Sequence, residues 1–291
     1  MDFGQLGVFL YCDGLERDEL AGSAQQIEKL GYSTLWYPEA LNYEAMALGG
    51  FLLSQTKKLI VASGIANIYA RDAAASVMGL NTLNALYDGR FVLGLGVSHS
   101  AFVSDLRGHE YKKPVATMRT YLDVMDKTWE SLGNTPDEKQ VILAALGPNM
   151  LKLGGERSLG VMPANVTTAH AATARQQVGT ERCVAPMVHV CLTPDAEVAR
   201  TAARTLLAIY FTLPNYTKAW MGFGFEPSDL ENGGSDRLID ALVVWGDIEQ
   251  VKRRLQEHRD AGANHLAIDS IRPDAQPGLD WDLLEALVPI G

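Results

Sequence analysis

Apolar and polar positions follow a repeating order along the chain: a short apolar run, a polar loop, and a longer segment with apolar residues at helical spacing. The stretch 58–100 shows this order most clearly. Its apolar run Leu59–Ala62 is followed by a polar loop and an alanine-rich segment, and a turn at 87–90 leads into a second apolar run, Phe91–Gly96. This order predicts two parallel strands joined by a helix.

Eight apolar runs of this kind each predict a strand. The predicted strands are Leu6–Tyr11, Ser33–Tyr37, Leu59–Ala62, Phe91–Gly96, Val141–Ala145, Leu159–Met162, Val184–Leu192 and His265–Asp269. Helical spacing and caps between them predict helices. In chain order they run over about Glu16–Leu30, Tyr43–Ser54, the alanine-rich segment before the turn at 87–90, and Pro114–Leu132, then from Pro148, from Thr168, after Thr193-Pro194-Asp195, and from the cap Asp247 to about Ala261.

Strands that alternate with helices, without a shift in composition that would mark a linker, favour one α/β domain over residues 1–291. We expect a single (β/α)8 TIM barrel; a doubly wound sheet is the alternative on the pattern alone. Two insertions exceed the repeat: 98–113 after the fourth strand and 210–236 after the seventh helix. The first is expected to shape a substrate pocket. The second is compatible with a lid, an oligomer contact or a surface excursion.

Composition narrows the class of protein. A hydrophobic fraction of 47% is enough for a large core, and a net charge of −10 argues against nucleic acid as a partner. We expect no membrane span, since no apolar run approaches twenty residues, and three cysteines fit a reducing cytoplasm. Neither the cysteines nor the histidines have metal-ligand spacing, so no metal is expected. The histidines interpreted as structural are His170, His189, His258 and His265.

Several segments carry a family resemblance. They are GYSTLWYPE at 31–39, SGIANIYARD after the third strand, LYDGRFVLGLG into the fourth, LAALGPNMLKLGGERSLGVMP from Leu143, and GDIEQVKRRLQEHRDAGANHLAI near the C-terminus. Together they resemble the bacterial-luciferase-like oxidoreductases and are most similar to the branch that uses the deazaflavin coenzyme F420. The resemblance implies an oxidoreductase that transfers a hydride between C5 of the deazaflavin and a small organic substrate. We expect it to be a cytoplasmic homodimer.

The resemblance also implies a cofactor site across the carboxyl ends of the strands. In the family, a non-proline cis peptide at the position of Gly64-Ile65 forms a bulge behind the central ring. Gly94 and Gly96 are expected to let the backbone approach a flat ring system. Backbone N–H groups of the turn before the fifth helix suit the cofactor phosphate. The residues expected to bind F420, or FMN as the alternative, are Glu39, Ser63, Gly64, Ile65, Ala66, Asn67, Val97, Ser98, Leu146, Gly147 and Pro148.

Two residues are candidates for catalysis. His99 follows the fourth strand, where the family uses an acid–base residue, and an imidazole titrates near neutrality. Glu39 stands at a position where the F420 enzymes often have Asp. His109 and Tyr111, in the same insertion as His99, are the reserves.

Two alternatives stay open. An FMN-dependent luciferase-like monooxygenase would react with oxygen. A flavin-binding relative without catalytic activity is the other, because Ala40 follows Glu39 where the F420-dependent glucose-6-phosphate dehydrogenases have a catalytic histidine. Binding of F420 or of FMN to the pure protein would separate the two cofactor hypotheses.

Overall fold

A computed structural model describes residues 1–288, and the last three residues of the predicted domain, 289–291, lie outside the described residues. The described residues contain one sheet of eleven strands. The strands are β1 (Leu6–Phe9), β2 (Thr34–Tyr37), β3 (Ile60–Ser63), β4 (Ala66–Asn67), β5 (Phe91–Gly96), β6 (Val141–Leu143), β7 (Gly160–Val161), β8 (Cys183–Val184), β9 (Met187–Leu192), β10 (Val243–Gly246) and β11 (Leu266–Ile271).

Helices connect successive strands except β3 to β4 and β8 to β9, and they cover the sheet. The α-helices are α1 (Arg17–Lys29), α2 (Ala45–Ser54), α3 (Ala73–Leu86), α4 (Pro114–Leu132), α5 (Pro148–Arg157), α6 (Thr168–Val178), α7 (Ala196–Leu207), α8 (Pro214–Gly222), α9 (Asp236–Leu242), α10 (Ile248–Asp260) and α11 (Trp281–Ala286). The two insertions hold a π-helix at Ala101–Leu106 and 3-10 helices at Tyr210–Thr212 and Pro227–Gly233. Asp247 caps α10, as predicted.

The strands pair in parallel around a closed barrel. Pairing runs through β11, β1, β2, β3, β5, β6, β7 and β8. From β8 the chain continues through Ala185 and Pro186 into β9, which pairs with β11. The Met187 N–H donates to the Pro163 carbonyl at 2.9 Å, and the Ala267 N–H donates to the Pro186 carbonyl at 3.0 Å. The sheet therefore returns to its first strand, and the predicted TIM barrel is confirmed.

The eleven strands exceed the eight predicted ones at three places. The first is β4, a two-residue strand that was not predicted and that pairs with β5. The predicted seventh strand, 184–192, is divided into β8 and β9 because Pro186 has no N–H to donate to the ladder. β10 was not predicted; it pairs with β9 in parallel at the edge of the sheet. No Gly, Pro or Asn separates β10 from α9, so the sequence pattern predicts that the apolar residues of β10 continue the helix.

Apolar side chains at alternate strand positions fill the barrel. They form one buried cluster that includes Phe9, Trp36, Ala62, Val92, Ile142, Met187 and Ala267. A larger cluster lies between the sheet and the helices. Across residues 1–288, no helix combines the length and the apolar character that a membrane crossing requires.

Candidate functional site

The barrel mouth, where the carboxyl ends of the parallel strands meet, has a floor of small and apolar residues. Two residues of this floor, Ile65 and Ala144, lie on either side of Gly96, since a Cβ placed on Gly96 would meet both side chains. Each floor residue is partly exposed, so a flat ligand could rest on them. The floor consists of Gly64, Ile65, Val97, Ala144, Leu146 and Ala164.

The segment Ser63–Asn67 forms a bulge between β3 and β4. Its Gly64-Ile65 peptide is cis, as predicted. The Ser63 hydroxyl donates to the Gly94 carbonyl at 2.9 Å, and the Ile65 carbonyl accepts from the Glu39 N–H at 3.2 Å. The predicted residues Ser63, Gly64, Ile65, Ala66 and Asn67 therefore share one fixed loop at the mouth.

Gly94 and Gly96 allow the bulge to pack closely on β5, and their expected approach to a ring system stays a prediction. A Cβ on Gly94 would lie 1.9 Å from the Ser63 carbonyl oxygen, and one on Gly96 would lie 2.4 Å from the Ile65 side chain. Any larger residue would push the bulge off β5. The close approach that requires glycine is made by the protein's own chain.

Glu39 lies in a buried ion pair with Arg71, and its side chain is 4% exposed. Both guanidinium Nη groups donate to its carboxylate. The Asn67 N–H donates to Oε2 at 2.7 Å, and the Ala45 N–H donates to Oε1 at 3.3 Å. These four donors hold Glu39 as a clamp on the bulge. Its predicted direct roles in catalysis and in cofactor binding stay predictions.

The turn Leu146-Gly147-Pro148 presents a helix N-terminus at the mouth. Gly147 is the N-cap of α5, and Pro148 occupies its first turn. A Cβ on Gly147 would meet no atom within 4 Å. The His170 ring, on α6, donates from Nε2 to the Leu146 carbonyl at 2.7 Å and so ties the turn to that helix. Met150 and Leu151 donate to the Gly147 carbonyl, which leaves the N–H groups of Gly147 and Asn149 for an anionic group such as a phosphate.

His99 reaches from the end of β5 to the second insertion. Its Nδ1 lies 3.0 Å from Asn215 Oδ1, and its ring lies 5.5 Å from the Tyr216 ring between centroids. Burial lowers the pKa of His99, and the bond to Asn215 partly opposes this. Because the amide oxygen accepts, Nδ1 carries the proton in the neutral ring. Nε2 then has a lone pair that can accept a proton.

The remaining predicted residues lie beside His99. Ser98 has a φ of 55°, in the left-handed region, and its carbonyl accepts a hydrogen bond from the Tyr111 hydroxyl at 3.3 Å. The His109 ring lies 6.0 Å from the Tyr69 ring between centroids. Val97, Ser98 and the two reserves therefore border the same mouth.

A cluster of polar residues at the mouth was not predicted. His189 Nδ1 lies 2.7 Å from Asp269 Oδ2, and His189 Nε2 lies 2.6 Å from Asn165 Oδ1. His189 was interpreted as structural, and Asp269 as the end of a strand. The signal that could have found them is strand alternation, because both follow an inward-facing apolar residue, Met187 or Ala267, at spacing two.

The roof, residues 210–233, covers this side of the mouth. The Tyr210 hydroxyl lies 2.7 Å from the Tyr11 hydroxyl at the end of β1. Burial raises the pKa of Tyr210 to about 12, so this hydroxyl stays protonated and can act only as a hydrogen-bond partner near neutral pH. Of the open interpretations of this insertion, a cover over the mouth fits these contacts. No group of three or more candidate metal ligands occurs within the part of the chain that the structure describes.

Comparisons with known proteins agree with this architecture. The chain is 23% identical to a 5,10-methylenetetrahydromethanopterin reductase from Methanolobus tindarius, over 87% of this chain and 90% of the relative. It shares its fold with a coenzyme F420-dependent tetrahydromethanopterin reductase from Methanopyrus kandleri, with a TM-score of 0.76, 19% identity and coverage of 98% and 97% of the two chains.

A third similar structure contains a different cofactor. It is the oxygenating constituent of 3,6-diketocamphane monooxygenase from Pseudomonas putida in complex with FMN, with a TM-score of 0.73, 15% identity and coverage of 98% and 97%. The model of the luciferase-like monooxygenase family matches residues 6–265. This protein belongs to the luciferase-like monooxygenase family.

Proposed function

We propose that the protein is an F420-dependent oxidoreductase that transfers a hydride between C5 of the deazaflavin and a small organic substrate. The observation that carries the proposal is the floor of small and apolar residues at the barrel mouth, which includes part of the bulge and lies beside the N-terminus of α5. The Methanopyrus kandleri enzyme, which is named as dependent on F420, has the same fold over nearly the whole chain.

The residues at the mouth fit the cofactor. Bound F420 supplies a hydride acceptor or donor at C5 of its ring. The floor offers an apolar face for the ring, with Ile65 and Ala144 side by side at Gly96. The open turn at Gly147 would hold the phosphate through backbone N–H groups, so the negative net charge of the protein does not oppose binding there. Glu39 would contribute indirectly, because its carboxylate accepts the Asn67 N–H and so holds the bulge in place.

His99 is proposed as the proton acceptor or donor. Its lowered pKa leaves the imidazole neutral near pH 7, with Nε2 free to take a proton from a substrate hydroxyl as its hydride departs. In the reverse direction, the protonated ring returns this proton to the substrate oxygen. Asn215 holds the ring in the tautomer that both directions need.

The test is a pair of titrations of the purified protein, one with F420 and one with FMN, followed by fluorescence. We expect F420 to bind more tightly than FMN. Gly147→Ala should weaken binding of F420 more than Gly22→Ala. Gly22 lies on α1, and like Gly147 it has a negative φ and no atom within 4 Å of a placed Cβ. Tight binding of FMN without measurable affinity for F420 would contradict the proposal.

A second candidate function is that of an FMN-dependent monooxygenase. The Pseudomonas putida structure, determined with FMN, supports it because its fold is nearly as similar. Consumption of oxygen by the protein loaded with reduced FMN would favour this candidate. Binding of either cofactor without turnover of any substrate would favour a relative that has lost catalysis.

We further propose that residues 1–291 act as one domain and that the protein works as a homodimer in the cytoplasm. The barrel alone accounts for nearly all of the described chain, which supports a single domain. Light scattering of the purified protein would give the mass of the particle. A mass near 31.7 kDa, that of one chain, would contradict the dimer.

A further inference from the structure

The roof is attached to the barrel by buried hydrogen bonds. The Trp220 indole N–H, on α8, donates to the Asn165 carbonyl at 2.8 Å. Trp220 is 2% exposed and Asn165 is 1% exposed, so this bond has little competition from water. α8 is therefore held at a fixed height above the mouth.

Asn165 is itself fixed from inside the barrel. Its side-chain oxygen lies 2.6 Å from Nε2 of His189, and the other ring nitrogen of His189 lies 2.7 Å from the Asp269 carboxylate. These three residues are almost completely buried. Asn165 also has a φ of 55°, a conformation that Asn tolerates better than most residues. The network therefore sets the position of the Asn165 carbonyl that binds Trp220.

The same helix carries the partner of His99. Asn215 lies at the start of α8, and its Oδ1 is 3.0 Å from His99 Nδ1. Tyr216, the next residue, packs against the His99 ring at 5.5 Å between centroids. A shift of α8 would thus change the hydrogen bond and the burial of His99 together.

We propose that His189 is a positioning residue: together with Asp269 and Asn165 it fixes α8 over the mouth and thereby sets the orientation and the environment of His99. The effect on turnover rests on the proposed function. The effect on His99 itself does not, because it follows from contacts within the protein alone.

The test measures the pKa of His99 by two-dimensional NMR of the imidazole groups in the full-length protein without cofactor. The spectrum of His99→Gln assigns the signal. His189→Leu removes both hydrogen bonds of the ring and leaves Asn165 in place. Asn165→Gly removes the bond to His189 together with the side-chain contacts to Tyr210 and Tyr216, and keeps the backbone carbonyl and the left-handed φ. His258→Leu is the matched control, because His258 is equally buried but lies on α10.

We expect the pKa of His99 to rise toward the usual 6.5 in both test variants, since burial is the larger influence on it and a displaced α8 would expose the ring. The control should leave it unchanged. If F420 turnover is established, kcat should fall by roughly 10-fold to 100-fold in the test variants, with F420 affinity near that of wild type.

An unchanged pKa of His99 in the folded test variants would overturn the inference, and so would an equal change in the control. If His189→Leu and Asn165→Gly fail to fold, Trp220→Phe gives the same comparison, because it removes the indole donor and keeps an aromatic ring at the site. A wild-type protein that does not bind F420 would contradict the proposed function and leave the comparison of pKa values intact.

Discussion

Two buried histidines inside the same barrel have different partners at its two ends. Near the amino ends of the strands, His265 accepts a hydrogen bond from the Trp36 indole N–H at 2.9 Å and donates to the Gly4 carbonyl at 2.8 Å. Near the carboxyl ends, His189 contacts a carboxylate and an amide. Burial lowers the pKa of His265 to about 4, so the ring stays neutral near pH 7. Both of its nitrogens have a hydrogen-bond partner.

The two hydrogen-bond networks differ in the parts of the protein that they connect. The partners of His265 are Trp36 on β2 and Gly4 in the segment before β1, so that network stays at the amino ends of the strands. The network of His189 continues into the roof and from there to His99. In barrels of this kind the carboxyl end of the strands carries chemistry and the amino end carries stability. The comparison therefore predicts separate consequences for changes at the two ends.

The largest expected effect is that of His99→Ala on turnover. Loss of the proposed general base should lower kcat by roughly 10²–10⁴-fold. Cofactor affinity should change little, because the floor and the turn at Gly147 do not include the imidazole. Steady-state kinetics with F420 measures the first quantity and a fluorescence titration the second.

His99→Gln refines this result. Gln can form a hydrogen bond with Asn215 but cannot take up a proton, so its kcat should be almost as low as that of the Ala variant. Turnover near wild type in both variants across a range of pH would remove His99 from the chemistry. Attention would then pass to His109 and Tyr111.

The next effect belongs to the other end of the barrel. His265→Leu would leave the buried Trp36 N–H and the part-buried Gly4 carbonyl without a partner, which should lower the free energy of unfolding by about 2–4 kcal/mol. The kcat of the folded fraction should not change. Urea denaturation together with activity measurements checks both, and a large fall in kcat without loss of stability would contradict the division between the two ends.

Acid should destabilise the protein through its buried histidines. Burial lowers the pKa of His258 and of His265 to about 4 in the folded state, against about 6.5 when unfolded. Below pH 6.5 the unfolded chain binds protons that the folded chain does not, so stability falls as the pH drops toward 4 and then levels off.

For one such histidine, the expected loss between pH 7 and pH 5 is about 2 kcal/mol. His258→Gln should remove that contribution, and urea midpoints at the two pH values measure it. An equal pH dependence in the variant and the wild type would show that His258 is not responsible.

The smallest effect concerns the clamp on the bulge. Glu39→Gln should lower F420 affinity by about tenfold, since Arg71 loses a charged partner in a buried pair and the bulge loosens. kcat at saturating F420 should stay near that of wild type. Glu44 also pairs with Arg71, but its side chain is 51% exposed, so Glu44→Gln serves as the control with a weaker effect. Loss of turnover at saturating F420 in Glu39→Gln would instead give Glu39 a direct catalytic role.

Local signals account for the parts of the fold that the sequence predicts well. β5 and α4 have the predicted bounds, because a turn precedes the strand and a proline starts the helix. β10 was missed because its apolar residues continue a helix without a turn signal. β8 and β9 are divided at Pro186, which lacks an N–H for the hydrogen-bond ladder. A proline interrupts a strand only where its position would donate to a neighbouring strand, and the sequence does not show which strands are neighbours.

The sequence predicts where the site lies, but it does not predict which of its residues contact one another. Strand ends and family motifs place the bulge, His99 and the turn at Gly147 at one mouth. The contacts that define their roles join distant residues: Arg71 and Glu39 are 32 positions apart, and His189 and Asp269 are 80 positions apart. Only closure of the barrel brings such pairs together, so periodicity along the chain could not reveal them.

The central claim is that F420 binds across the floor at the carboxyl end of the barrel. Hydrogen–deuterium exchange measured by mass spectrometry, with and without F420, tests it most directly. We predict slower exchange in residues 63–67, 97–99 and 146–148 on addition of F420, no change around His265 at the opposite end, and a smaller response to FMN. Unchanged exchange in those three segments with F420, or protection by FMN alone, would contradict the account.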